Sequence, residues 1–431
     1  MLDIQFIRDN PETVKEKSKQ KGYEVDIDHL LQLDADRRTR LIQAEELRRR
    51  RNELSDKSKN QPPSEEQIAA GRQLKEELGQ VESDLKILDE QFETQLRQVP
   101  NMPAEDVPVG YSEEENVVAK EWGVKKVFDF TPKSHAELGE AKGFIDKERA
   151  AKVAGARFAY IKGDLVLLEF ALWHFALNQL TDEQVIHQLI ADNNLELSSK
   201  PFVPVLPPAV AKTEVYEATG RLNKEEQTYK LADDDLWLNA SAEHTMAPMY
   251  MNEILDEKDL PLRYVGYTTA FRREAGTYGK DTEGIFRLHQ FNKLEMETFG
   301  TADSSLHEHF LMIAIQEYLM QQLELPHRVV NKCTADIGGP NARGVDIDVW
   351  LPAQAQYRET HTADYITDYQ ARRMRTRVRR VNGSVELVHT NDATAFAERA
   401  IVAIMENYQT ANGSIIIPDV LRPYMGGRES I

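Results

Sequence analysis

A single cysteine, Cys333, is the only thiol in 431 residues. That excludes an internal disulfide framework and any cysteine-rich zinc site, and it points to a reducing, cytoplasmic setting. Long hydrophobic runs are missing too. The longest, LVLLEFALWHFAL at 165–177, is interrupted by Glu169 and His174; it is too short and too polar to span a membrane and reads as a buried helix. The first residues, MLDIQFIRDNPETV, lack the basic and then apolar pattern of a signal peptide, so no membrane partner is expected. Positive charge is scarce. Lys and Arg number 53 against 72 Asp and Glu, a net charge of −19, which repels a polyanion unless the cations are concentrated somewhere. The length suffices for two or three domains.

Glycine and proline are absent from Asp28 to Lys59, and this stretch carries Leu33, Leu47 and Leu54 at multiples of seven. A breaker, NQPPS at 60–64, follows. From about Glu65 to Val99, Leu74, Leu78, Val81, Leu85, Leu88 and Phe92 recur at spacings of four and three, a heptad seam. The two stretches are therefore expected to fold back as an antiparallel helical hairpin roughly 45–50 Å long. A short helix before it, within residues 1–25, starts at Asn10-Pro11-Glu12. Cations gather on the outbound helix: Arg37, Arg38, Arg40, Arg48, Arg49, Arg50, Arg51, Lys57 and Lys59. They could pair with the acidic return helix and solvent, or contact RNA. Four consecutive arginines point around the whole circumference and cannot all face one partner helix.

The stretch FRREAGTYGKDTEGIFRLHQFNKLEM at 271–296 has the layout of a strand, a glycine-bearing loop and a returning strand. Strict alternation puts Arg287, His289, Phe291, Lys293 and Glu295 on one face, and Phe286, Leu288, Leu294 and Met296 on the other. Arg272 and Glu274 share a face of the outgoing strand. Such a surface offers guanidinium for phosphate or carboxylate, an aromatic plane for a base, and carboxylates for an ammonium group. A half-solvated hairpin would show the same pattern.

These residues carry a resemblance. Phe-Arg-x-Glu at 271–274 and RLHQFNKLE resemble motif 2 of the class II aminoacyl-tRNA synthetases, and the HQF-x-K-x-E wording is similar to the seryl branch. SHAELGE at 134–140 and GARFAYIKGDLVLLEFALWHFAL at 155–177 resemble the start of the catalytic domain. SSKPFVPVLPPAV at 198–210, whose prolines exclude a fully paired central strand, looks like motif 1, with Pro207 at a dimer interface. WLNASAEHTM at 237–246 looks like the Thr-x-Glu signature, with Ser241 for threonine. Tyr-Arg-Glu-Thr at 357–360 and the final HTNDATAFAER segment, ending in the motif 3 arginine Arg399, complete the match. Without the resemblance, Ser-x-Glu reads as a helix cap and Glu359-Thr360 as a strand end with capping hydroxyls.

The resemblance implies an α+β class II fold: a six- to seven-stranded antiparallel sheet flanked by helices (105–431), preceded by a tRNA-binding domain with a coiled-coil arm (1–104). It implies a homodimer that activates L-serine with ATP and magnesium and charges tRNA(Ser), and tRNA(Sec) where present, with no part for DNA. On this reading Arg272 and Arg399 are catalytic. Arg272, Arg273, Glu274, Arg287, Leu288, Phe291, Glu359, Thr360, His361, Thr362 and Arg399 bind ATP, and Glu359 and Thr362 hold the metal. Ser241, Ala242, Glu243, Arg272, Glu295, Asn391 and Thr394 bind serine, and the arm arginines 37, 38, 40 and 48–51 bind tRNA. Arg399 near a helix start is unfavourable unless an anion binds there, which agrees with a triphosphate contact. Asp348 stands where the family more often has Glu.

Two rival readings are an amino-acid-activating enzyme that loads a carrier protein and a catalytically dead RNA-binding relative. The long arginine-bearing arm argues against the first, and the retained Arg272, Glu295, Glu359 and Arg399 against the second. One departure concerns the substrate hydroxyl. Six residues before the motif 3 arginine the family supplies Ser or Thr, and this chain has Ala393, then Thr394. A local bulge could re-aim Thr394, Asn391 or Ser241 could read the hydroxyl instead, or serine could be recognised less strictly.

Overall fold

The computed structural model describes residues 1–57, 64–222, 228–274 and 283–431. Lys59, most of the NQPPS breaker and the AGTYGKDT turn lie outside the described residues. The chain divides into two compact units, Met1–Met102 and Pro103–Ile431.

In the first unit the expected single short helix is two, Ile4–Asp9 and Pro11–Gln20. The break falls at Asn10 because Pro11 has no N–H to continue a helix and sits at the first position of the next. Two long helices follow, Ile27–Lys57 and Glu65–Gln98. Ser64 starts the second with a capping box: its hydroxyl accepts from the Gln67 N–H while the Gln67 side chain accepts from the Ser64 N–H. Most of the seam is where the spacing put it: Ala44, Leu47, Leu74, Leu78 and Val81 are buried together with Leu54 against them, and Leu33 and Phe92 are buried too, whereas Leu85 and Leu88 are only half-buried.

The second unit is built on an eight-stranded sheet. Its strands are β1 (Val117–Trp122), β2 (Val203–Val205), β3 (Leu262–Phe271), β4 (Gln290–Gly300), β5 (His327–Asn331), β6 (Arg343–Leu351), β7 (Gln356–Thr367) and β8 (His389–Ala397). The spatial order is β1-β5-β6-β7-β8-β4-β3-β2, antiparallel except that β2 runs parallel to β3. The count exceeds expectation by its edges. β2 is the proline-rich segment, three residues long and confined to an edge, as Pro204 requires.

The sheet has one dry face and one chemical face. Leu294, Met296, Val345, Ile347, Val349, Ala363 and Ala393 are buried in one core with Leu311, Ile315 and Leu319 of the helix Ser305–Gln322 and Ile401, Val402 and Ile404 of the helix Glu398–Asn407. The apolar run at 165–177 lies in the helix Asp164–Thr181. It is buried on one side only, because Leu167 and Phe170 are exposed. The opposite face of β4, β7 and β8 floors a cavity.

Candidate active site

The cavity, about 460 Å³, is lined by side chains from the loop and helix before β3, from both limbs of the hairpin, and from β7, β8 and the helix after it. The hairpin is shorter than alternation implied. β3 ends at Phe271 and β4 begins at Gln290, so Arg272, Glu274 and residues 284–289 lie off the strands. His135 fixes the returning limb: its Nε2 accepts from the Ile285 N–H at 3.3 Å while Nδ1 sits 3.0 Å from Glu406 Oε1. Gly284, at φ 61°, leaves no room for a Cβ, which would meet the His135 ring at 2.1 Å. This irregular approach turns Phe286 and Leu288 into the cavity wall with Arg287, where strict alternation had put them on the opposite face.

The cationic part of the site is held by its own anions and rings. Arg272 donates from Nε to the Ala240 carbonyl at 3.2 Å, and its guanidinium lies 5.3 Å from the Phe291 ring centre. Arg287 donates to Glu274 at 2.5 Å. Arg399 pairs with Glu359 at 3.2 Å and lies 4.8 Å over the Phe286 ring. It is the second residue of a ten-residue helix whose N-cap, Ala397, offers no side-chain acceptor, so N–H groups without a side-chain cap and a guanidinium converge where an anion fits.

Two bulges bring side chains here that plain alternation would separate. Between β6 and β7 the register slips so that Ile347 faces His361 while Asp348 faces Glu359. Thr360 is the extra residue, and Glu359, Thr360 and Thr362 all line the cavity. Between β4 and β8 the register shifts between Thr394 and Phe396. Ala395 is the extra residue, Asp392 and Thr394 face the cavity before it, and Ala397 and Arg399 face it afterwards. Ala393 is in the core.

The anionic part surrounds Glu243 and Glu295. Glu243 starts the short helix Glu243–Met246, seated on β3 at Gly266, where a Cβ would come within 2.4 Å of the Met246 sulfur. Its Oε1 accepts from Arg221 Nε and from the Gln370 amide, both at 2.8 Å. Burial alone raises the Glu243 carboxyl, yet the Arg221 charge and its hydrogen bond hold it below the usual range. Glu295 is fully buried and paired with Lys293 Nζ at 2.5 Å, and Lys293 also reaches Ser241 Oγ at 3.3 Å. Burial pushes the Glu295 carboxyl up, with Lys293 opposing. Behind them Asp364, Asp392 and Glu297 form one row across β7, β8 and β4. Arg221 Nη2 lies 3.6 Å from Asp364 and 3.2 Å from Asp392, and burial pushes all three carboxyls up.

A magnesium-bearing phosphate needs hard oxygens and few of them from protein. Among the described residues no group of three His, Cys, Asp or Glu is placed to hold a metal alone. Glu359 is half-exposed; burial would raise its carboxyl, yet Arg399, Lys332 and Arg272 pull it down to about 2, so it stays an anion. Thr362 donates its hydroxyl proton to Asp346 at 2.7 Å, which leaves its lone pairs available. One carboxylate and one hydroxyl suit a cation that brings its own waters and phosphates. Asp348 is paired with Arg328 at 2.8 Å and does not line the cavity.

Residues 1–103 match the seryl-tRNA synthetase N-terminal domain, and residues 227–408 match the tRNA synthetase class II core domain (G, H, P, S and T). A serine–tRNA ligase of Geotalea uraniireducens is 42% identical over 100% of both chains. The chain belongs to the seryl-tRNA synthetase family. Among solved structures, seryl-tRNA synthetase of Pyrococcus horikoshii complexed with ATP superposes with a TM-score of 0.88 at 38% identity, over 100% of this chain and 99% of that one. Cytoplasmic serine–tRNA ligase of Naegleria fowleri in complex with AMP gives 0.84 at 28%, over 100% and 98%.

Of the residues assigned from the family's motifs, Ser241, Glu243, Arg272, Glu274, Arg287, Leu288, Phe291, Glu295, Glu359, Thr360, Thr362, Thr394 and Arg399 line one cavity. Four do not. Ala242 is packed in the interior. Arg273 lies over the Tyr229 ring at 5.0 Å. His361 bonds Thr360 Oγ1 and the Ala395 carbonyl. Asn391 donates to Thr298 and to the Ser305 carbonyl. Arg221, Lys293, Lys332 and Gln370 are participants that motif reading missed. Lys293 sits inside HQF-x-K-x-E and was legible there; Arg221 and Gln370 reach Glu243 only through the fold.

On the helical hairpin, Arg37 pairs with Asp89 and covers Phe92, Arg38 reaches Asp34 at 3.2 Å, Arg40 reaches Asp84 at 3.9 Å and Arg48 reaches Glu82 at 2.7 Å. Arg49 pairs within its own helix with Glu46 and Glu53. Arg50 and Arg51 are exposed and have no ion pair among the described residues. Pairing within the hairpin therefore accounts for Arg37, Arg38, Arg40, Arg48 and Arg49 but not for Arg50 and Arg51.

Proposed function

We infer that the chain activates L-serine with ATP and transfers it to the 3′ end of tRNA(Ser), and of tRNA(Sec) where that RNA is present. The observation that carries this is one cavity joining the guanidiniums of Arg272, Arg287 and Arg399 and the Phe291 ring to the buried carboxylates of Glu243 and Glu295. In the first step the serine carboxylate attacks the α-phosphate and pyrophosphate leaves. In the second a ribose hydroxyl attacks the adenylate. Positioning and charge neutralisation do the work, and no protein nucleophile is required.

Arg272 is suited to bridge the serine carboxylate and the α-phosphate, where negative charge builds up in the displacement. Arg287 and Arg399 hold the outer phosphates. Phe291 supplies the plane for adenine and Glu274 an acceptor for its amino group. Glu295 and Glu243 receive the serine ammonium; Glu295 already binds the Lys293 ammonium in this way. With Arg221 and Gln370 on Oε1, Glu243 presents Oε2 to the substrate. Magnesium on the ATP, held by Glu359 and Thr362, would neutralise phosphate charge.

Thr394 is the group for reading the serine hydroxyl. The chain acts as a homodimer in the cytoplasm, with Pro207 and the edge strand β2 at the interface; Val203 and Leu206 are 50% and 83% exposed there. No described helix is long and apolar enough to cross a membrane. ATP–pyrophosphate exchange over a panel of amino acids, followed by tRNA charging, tests the whole reading: exchange should depend on serine. Exchange with serine but without charging would favour a carrier-loading enzyme, and no exchange at all a dead relative.

A further inference from the structure

One charged segment beside the cavity is not used by the site above. Residues 372–380, RRMRTRVRR, hold six arginines and no acid in a chain of net charge −19. The helix Tyr369–Met374 ends on Arg375 in the left-handed conformation, φ 56°, and the strand Arg377–Arg379 follows. Met374, Thr376 and Val378 are buried while Arg375, Arg377 and Arg379 are exposed. Alternation therefore sets Arg377 and Arg379 on one outward face, and Arg375 is exposed at the helix end just before it. The strand is the middle one of three, parallel to Ile254–Asp256 and antiparallel to Val385–Leu387, so the face is fixed by pairing on both sides.

Ion pairing divides these arginines. Arg380 is engaged by Glu257, Asp303 and Glu386, and Arg372 by Asp368. Arg373 donates to the Glu217 carbonyl and the Tyr369 hydroxyl. Arg379 comes within 3.8 Å of Asp256. Arg375 and Arg377 have no carboxylate partner among the described residues. Ile254 and Val385 are exposed next to Arg377 and Arg379, respectively, in the sheet. Guanidiniums without internal counter-ions on a rigid, partly apolar face suit a polyanion backbone, whose phosphates they can grip bidentately.

The place of this face selects the polyanion. Gln370, on the same helix, holds Glu243 at the cavity wall. Arg375 is five residues further on, about 7–8 Å along the helix axis. The helix that ends at Arg375 thus walls the amino-acid side of the cavity, and the 3′ end of an acceptor RNA has to reach that cavity. None of the face's arginines lines the cavity itself, so they are not placed for ATP.

We propose that Arg375 and Arg377, with Arg379 beside them, bind the phosphate backbone at the acceptor end of the RNA substrate, a site separate from the helical hairpin. The proposal rests on the reading that the chain charges tRNA. Such contacts position the strand and read no base.

The test uses the full chain and a short RNA hairpin that reproduces the acceptor stem and 3′ end of tRNA(Ser) but lacks the variable arm. Fluorescence anisotropy across a salt series should show Arg375→Gln/Arg377→Gln binding about tenfold more weakly, with log K against log salt shallower by about 2. Arg375→Lys/Arg377→Lys should restore most of the affinity and the slope, because the charges return. Serine-dependent ATP–pyrophosphate exchange should be the same in all three proteins. Unchanged affinity and slope in the glutamine variant would overturn the proposal, as would no binding by the parent. Loss of exchange in that variant would also overturn it, since the arginines would then act through the fold. A parent that binds the hairpin through these arginines yet lacks serine-dependent exchange would refute the functional reading and leave the site standing.

Discussion

At the scale of single residues, the insertion of Ala395 is the most consequential event. Without the bulge, the face that carries Asp392 and Thr394 would continue to Phe396, and Ala397 with the helix that starts at Glu398 would leave from the opposite face. With it, Thr394 and Arg399 serve one cavity. Thr394→Val keeps the branched shape and removes the hydroxyl. A site that hydrogen-bonds a hydroxyl rejects an analogue lacking it far better than a site defined by shape, so the ratio of kcat/KM for serine over alanine should collapse in the variant; an unchanged ratio would eliminate Thr394 as the reader. Arg272→Ala removes charge stabilisation that grows in the transition state and should slow adenylate formation by roughly 10² or more. A raised KM with unchanged kcat would contradict that role. His309 offers a stability test away from the chemistry. It is fully buried against Phe310 and Tyr365, neither ring nitrogen has a hydrogen-bond partner among the described residues, and burial pushes its pKa down to about 3. The unfolded chain takes up this proton near pH 6.5 and the folded one does not, so the group's contribution is complete above 6.5 and is lost as pH falls toward 3, by up to about 1.4 kcal/mol per unit. His309→Phe should therefore gain on the parent in urea unfolding as pH drops from 6.5 to 4.5, and parallel pH curves would refute this.

At the scale of elements, regular periodicity was legible and the positions of its interruptions were not, although a bulge near Thr394 was one of the alternatives the sequence left open. Leu47, Leu54, Leu74 and Leu78 of the hairpin appear in the seam because a helix tolerates no insertion without losing its stripe, so sequence spacing and burial largely coincide. Strands tolerate a bulge, and a single added residue exchanges their faces. The sites of Thr360 and Ala395 carry no distinctive sequence, and residues 284–289 look like a strand until His135, nearly 150 positions earlier, anchors them off it. The motifs still located the cavity, since they mark side chains whose chemistry the ligands demand. They could not supply Arg221, or separate Arg48, which pairs with Glu82, from Arg50 and Arg51, which pair with nothing described. That distinction is measurable. Arg50→Gln/Arg51→Gln should weaken tRNA binding and make its salt dependence shallower by about 2, whereas Arg48→Gln should do less, its charge being already met by Glu82. Equal losses would mean that the Arg48–Glu82 pair opens for RNA.

At the scale of the whole molecule, a protein of net charge −19 handles a polyanion by confining its cations. The outbound hairpin helix, the cavity and the segment 372–380 each hold arginines in a chain whose net charge is −19, so long-range repulsion has to be offset by local contacts. RNA affinity and adenylate chemistry should then be separable by truncation. Complete removal of residues 28–99 would also strip Leu30 and Asp34, which is bound by Arg8, from the two short helices before them, and a failure could then be one of folding. The Arg40–Asp84 pair marks a level where the two long helices lie side by side. Replacing residues 41–83 with a short turn there keeps the hairpin base, including Arg37 with Asp89, and removes Arg48 to Arg51 with the distal seam. The truncated protein should retain the parent rate of serine-dependent ATP–pyrophosphate exchange, because every cavity residue lies beyond position 220. Its kcat/KM for tRNA should fall about a hundredfold, consistent with the loss of several phosphate contacts at moderate salt. Raising tRNA concentration should recover much of the charging rate if the distal hairpin supplies affinity alone. Charging at the parent's efficiency would show that the RNA is held elsewhere, and a parallel loss of exchange would show that the two units are coupled through more than the RNA they share.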